Sequence, residues 1–184
     1  MLLTSTGYSL KFIQADPVND SSDHLKSYIF KFFSEKNKLH YVVRAEYHKH
    51  DFFAVKFYAK KDRKSDRKYN IVTNKGDVAN ILITCAKSIP YLLQLFPGAS
   101  FGFIGSRTVD FSSEKVEGFV NNQRFRLYNY HLPQLIGNET FFHVSFRTAS
   151  SYALINKTNK DMEKYKEFVK QMVIDTYDEI LEIS

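Results

Sequence analysis

The chain has 184 residues, of which 43% are hydrophobic and 25% charged, the balance of one folded domain over residues 1–184 rather than of a disordered polyelectrolyte. Its single cysteine, Cys85, excludes an internal disulfide and a cysteine-built zinc centre. The net charge of +6 is uneven: residues 31–68 hold 12 Lys/Arg against 5 Asp/Glu, and residues 159–184 hold 4 against 7. A basic first half beside an acidic end is compatible with a polyanionic partner without requiring one.

In chain order, YSLKFI (8–13) reads as a short strand, and QADPVNDSSDH as a turn-rich loop in which Pro17 biases Asp16 away from helix. Strand patterns follow at 28–34, 39–48 and 52–60. In the second of these, Tyr41, Val43, Ala45 and Tyr47 share one face and His40, Val42, Arg44, Glu46 and His48 the other, as in a sheet covered on one side. The short HKHD connection makes the last two a hairpin. RKYNIVT (67–73) reads as a further strand, reached through the charged loop KKDRKSDRK.

The period then changes. A helix is expected from Asn74 as N-cap, with Asp77 in its first turn, kinked or ended near Ile89 by Pro90 and stopped by Pro97-Gly98. Its apolar residues nearly encircle it, which places it inside the domain. SFGFIGS (100–106) reads as a buried strand ending in a Gly-Ser turn, 107–122 as a loop and 123–136 as a short helix limited by Pro133 and Gly137. Strands at 139–146 and in SYALINK precede a C-terminal amphipathic helix over 159–182, with Met162, Tyr165, Val169, Met172, Val173 and Ile180 on one stripe. The expected class is α+β: a largely antiparallel sheet with a buried central helix and a C-terminal amphipathic helix, in an order that echoes a ribonuclease H-like layout.

Few patterns carry chemistry. No GxGxxG or GxxxxGK[ST] phosphate loop is present, Ser106 lacks the glycine a nucleophile elbow needs, and Cys85 lies among apolar residues as a small hydrophobe. Asp77 suits a helix start, and His40, His48 and His50 suit a hairpin surface more than a metal site. No catalytic residue, metal or cofactor is therefore assigned. The clearest electrostatic feature is the loop 59–69, where Lys60, Lys61, Arg63, Lys64, Arg67 and Lys68 are candidates for nucleic-acid contact, with Tyr58 and Tyr69 for stacking and Asp62 and Asp66 interrupting the run. A second candidate joins Gly105, Ser106 and Arg107 to Arg124 and Arg126, whose guanidinium forks suit phosphate or carboxylate. The rival for these arginines is an internal salt bridge to Asp110, Glu114 or Glu117.

The stretch from VTNKGD through FGFIGS to RFRLYNYHL resembles an uncharacterised family of small bacterial proteins. That family shares a TNxGD helix start, a strand ending Gly-Ser and an Arg-x-Arg-Leu-Tyr segment, here Thr73, Asn74, Gly76, Asp77, Gly105, Ser106, Arg124, Arg126, Leu127 and Tyr128. Here residues 107–122 form a longer insert than the family pattern has. The resemblance implies a shared domain and no activity.

The expected function is that of a non-enzymatic binding or regulatory protein acting through a protein partner, with an antitoxin- or defence-related role in view. Nucleic-acid binding through the 59–69 loop is the first alternative and a metal-dependent nuclease the second. No run approaches the length of a membrane span and the start, Met1-Leu-Leu-Thr, lacks signal-peptide character, so the expected location is the cytoplasm.

Overall fold

Alternating aromatic and β-branched residues build a meander of β1 (Lys11–Pro17), β2 (Lys26–Ser34), β3 (Leu39–His48) and β4 (Phe52–Ala59). The computed structural model describes residues 6–18, 24–71, 76–105, 109–110, 115–118 and 120–176. After the meander come α1 (Val78–Ala86), α2 (Ser88–Leu95), β5 (Ser100–Ile104), β6 (Val109–Asp110), β7 (Lys115–Val116), α3 (Gln123–Leu135), β8 (Phe141–Phe146), β9 (Ser151–Asn156) and α4 (Met162–Thr176). The large sheet has seven strands in the order β1-β2-β3-β4-β5-β9-β8, and β6 pairs with β7 separately. Every neighbouring pair in the large sheet is antiparallel except β4 and β5, which the α1–α2 crossover joins in parallel. The protein is α+β with a largely antiparallel sheet. Because β5 enters beside β4, the last strand of the meander, this order does not confirm the ribonuclease H-like layout.

Strand register separates two faces. Tyr28, Phe30, Phe32, Tyr41, Val43, Ala45, Phe53, Val55, Phe101 and Leu154 face the main core with Ile81, Leu82, Cys85, Ile89 and Leu92 of the crossover and Tyr128 and Leu132 of α3. The other face carries Phe52, Ala54, Ala153 and Ile155, which α4 covers with Tyr165, Val169 and Val173. The sheet is thus covered on both sides rather than one, since Val42, Glu46 and His48 are buried opposite Tyr41 and Val43. Contrary to the sequence expectation that no run approaches a membrane span, Val78–Leu95 is long and apolar enough by length and composition to cross one; half of it is buried, and its buried residues form the core helix layer.

Several boundaries differ from the sequence expectation for local reasons. β1 runs on to Pro17 because it is an edge strand with a bulge between Phe12 and Gln14, where a missing N–H is tolerated. The expected strand at 67–73 is a series of turns with one bridge residue at Ile71, and residues 72–75, including Asn74, lie outside the described residues. Asp77 occupies the N-cap position of α1, yet its side chain makes no capping bond. The crossover helix breaks at Lys87, earlier than Ile89, because the Pro90 ring opposes the Ala86 carbonyl four residues back. Pro133 sits inside α3 rather than limiting it.

β5 can lie flat beneath the aromatic layer only because residue 102 has no side chain. A Cβ there would stand 2.5 Å from Cζ of Phe52, a ring that is itself fully buried. Gly102→Ala should cost about 1–3 kcal/mol by overpacking. The expected readout is a lower urea midpoint at unchanged slope; a parental midpoint would show that the Phe52 ring moves aside freely.

Candidate functional site

Two groups of cations were singled out by sequence, and the fold treats them differently. Gly105, at the end of β5, donates its N–H to the Ser150 carbonyl at 2.8 Å and accepts from Asn122 Nδ2. A Cβ on Gly105 would meet Asn122 Oδ1 at 2.6 Å and the Phe125 nitrogen at 2.9 Å, so this glycine serves close packing against the start of α3. Ser106 and Arg107 lie outside the described residues, as does Glu114, and of Asp110 only the backbone is described.

Arg124 and Arg126 diverge. The Arg126 guanidinium is exposed and returns to the Asn121 carbonyl at 2.6 Å. Arg124 lies over the Phe57 ring at 4.9 Å from its centroid and donates to the backbone carbonyls of Tyr69 and, at 3.3 Å, Ile71. Burial lowers its pKa, and Tyr128, Cys85 and, further down, Glu117 act against that lowering. A guanidinium stays charged in such a site, so the hydrogen bonds are charge-assisted. Arg124 therefore holds the far end of the basic loop, and Glu117 also accepts from the Gln123 nitrogen at the helix start.

The basic loop is ordered by that anchor and by its own turns. Lys60–Asp62 forms a single 3-10 turn, followed by N–H···O bonds from Ser65 to Asp62 at 2.9 Å and from Asn70 to Arg67 at 2.8 Å. Lys60, Lys61, Arg63, Lys64 and Arg67 are exposed, while Asp62 is half-buried. With Lys38 from the β2–β3 turn and His40 from the start of β3, Lys60, Lys61, Arg63 and Lys64 line an open depression of about 550 Å³ that, among the described residues, no acidic side chain lines. Lys38 has φ 56°, a left-handed conformation at the tight β2–β3 turn.

Lys68 turns inward instead, over the rings of Tyr58 at 5.0 Å and Tyr69 at 5.3 Å. Beneath them, Glu46 is buried and paired with Lys56 at 3.0 Å and, more distantly, with Arg44 at 3.9 Å. Burial opposes the Arg44 charge, and the Tyr69 hydroxyl and Glu46 outweigh it, leaving its pKa above the ordinary value. Burial pushes the Tyr69 hydroxyl up to about 12, so it stays protonated at ordinary pH. His24 Nε2 and Arg44 Nε both meet Ser27 Oγ, at 2.9 and 3.1 Å. His48 is buried beside His24, ring centroids 6.0 Å apart, and is not the surface histidine expected; His40 is exposed.

Buried polar residues at two helix starts hold the helices in place through distant partners; Asp77 is expected from the sequence at its helix start and Asn122 is not. Asn122 caps α3, accepting from the Phe125 N–H at 2.9 Å, while its own N–H donates to Ser150 Oγ at 3.1 Å. Only its position before an aromatic helix start hinted at a cap. The buried Asp77 carboxylate accepts from Tyr8 at 2.9 Å, from Asn80 at 2.8 Å and from Ser34. These long-range partners have no sequence signal. Burial pushes the Cys85 thiol up, in keeping with an inert core position.

Among the described residues no three His, Cys, Asp or Glu side chains come together in a way that could hold a metal ion. No protein-family model, curated protein or solved structure matches the chain.

Arg124→Lys keeps the charge but loses the fork that spans two carbonyls, at a cost of about 1.5–3 kcal/mol. Trypsin should then cut within Lys60–Lys68 faster while amide exchange in β2, β3 and β4 stays slow. Unchanged cleavage would mean that the loop is held by something else.

Proposed function

We propose that this is a non-enzymatic binding protein whose ligand is a polyanion, with the nucleic-acid backbone as the chemistry that fits best. The observation that supports this reading is the acid-free depression between the β2–β3 turn and the basic loop, where Lys38, His40, Lys60, Lys61, Arg63 and Lys64 converge from separate segments. Clustered cations on a fixed surface release counterions when they meet phosphates, which gives affinity without reading sequence. A binding role rather than catalysis agrees with how the nucleophilic groups are engaged: Ser34 is bonded to Asp77 and Cys85 is buried among apolar residues.

The test is a salt titration of binding to single- and double-stranded RNA and DNA. The double variant Lys61→Glu with Lys64→Glu should weaken binding at least about tenfold at low salt and flatten the salt slope by about 1–2. No binding by the parent protein at the lowest salt removes the reading.

A protein partner is the second reading, favoured by the outer strand. Phe12 and Ile13 of β1 are 38% and 41% exposed, Ile13 lies in the bulge, and Phe12 stacks on Tyr91 of α2 at 4.9 Å. An apolar strip on an open sheet edge suits strand addition or a hydrophobic partner. On this reading a lysate fraction slows amide exchange over Lys11–Pro17, and Ile13→Asp abolishes the slowing. Exchange that is indifferent to the lysate counts against it.

A further inference from the structure

We infer that the basic depression takes an unpaired nucleic-acid strand, with Phe33 and His40 as the platform on which one of its bases stacks. This rests on the polyanion reading above and narrows it. Cations alone accept duplex, single strand or an acidic peptide alike. An exposed ring among them is of use only to a ligand that has a free aromatic face.

Phe33 of β2 pairs directly with His40 of β3, and both point to the face of the sheet opposite the main core. Their rings are 4.8 Å apart at an interplanar angle of 51°. Phe33 is 39% exposed and His40 is also exposed, although a phenyl ring gains by burial. His40 lines the depression itself, and the Phe33 ring lies against the His40 ring just beside it. The next residues along the same face continue the chemistry. Lys31 is half-buried two positions before Phe33, and Tyr58 lies across β3 from it, with Val42 between them. Lys68 sits over the Tyr58 ring, adding a second ring and cation beyond the first.

Alternating cations and rings on a rigid sheet match the backbone charge and the base faces of a single strand together. A duplex presents the phosphates but keeps its bases stacked on one another. An acidic peptide presents carboxylates and no base. The chemistry therefore favours a single strand, and nothing in it separates ribose from deoxyribose.

The experiment compares short labelled oligo(U) and oligo(dT), a mixed-sequence duplex and polyglutamate, by fluorescence anisotropy against the full chain. Phe33→Leu keeps apolar bulk at a partly exposed site, and its unfolding midpoint is measured beside the parent's. The expected result is an affinity for both single strands about tenfold lower, with the salt slope unchanged and duplex and polyglutamate binding unaffected. His40→Ala should weaken single-strand binding in the same direction. Equal losses on polyglutamate, or single-strand binding indifferent to both substitutions, overturn the platform. If charge reversal at Lys61 and Lys64 still abolishes binding in that case, the polyanion reading stands without it. If none of the four ligands binds the parent protein, both fail together.

Discussion

The arrangement of charge on this protein depends on one contact: the Arg124 guanidinium, set between the Phe57 ring and the carbonyls of Tyr69 and Ile71. The Tyr69 ring lies on the outer face of the sheet, over Lys56 and Tyr58, whereas Arg124 reaches its carbonyl from α3 on the core face. The chain thus crosses the plane of the sheet at this point. It does so beside the part of β4 that β5 leaves unpaired, since β5 matches only Phe52–Val55. Buried or half-buried carbonyls need donors, and one planar fork supplies both of these at once. By fixing the end of the loop, Arg124 fixes where Lys60 to Lys64 stand relative to Lys38 and His40.

The outer face is a second constraint. α4 covers it over β4 and β9, and beyond that helix it becomes polar and basic. Glu46 is buried there between Lys56 and Arg44, a geometry in which one carboxylate compensates two cations and leaves an excess of positive charge. A buried pair of this kind adds little net stability, because desolvation offsets most of the attraction. Its effect is to hold Arg44 and Lys56 in place beneath Tyr69. Lys68 over two tyrosine rings is held by similar means, so its ammonium is placed rather than freely swinging.

The helices on the core face are pinned by buried polar groups at their starts. Asp77 gathers Tyr8, Ser34 and Asn80, and so ties the N-terminal segment and the end of β2 to α1. Asn122 links α3 to the ends of β5 and β9 through Gly105 and Ser150. Each set is largely satisfied by donors from distant segments, which is what makes burial of a carboxylate or an amide tolerable.

By itself the sequence determined the elements whose period is set by neighbours along the chain. Alternation marked β3 and β4, a strand-like run marked β2, the tight HKHD connection marked the β3–β4 hairpin, and Tyr165, Val169 and Val173 marked the buried stripe of α4. It also located the basic run, because charge density is a property of composition. Tertiary structure decided what those charges face. Arg124 and Arg126 share a motif two residues apart, but one is drawn over the Phe57 ring by carbonyls more than 50 residues away and the other stays on its own helix start. The same holds for His48, whose alternation pattern is that of exposed His40, and which became buried because Phe52, His24 and the end of the sheet close around it. Local pattern fixes which face a side chain takes; whether that face meets solvent, a ligand or another segment depends on contacts between residues that the sequence keeps far apart.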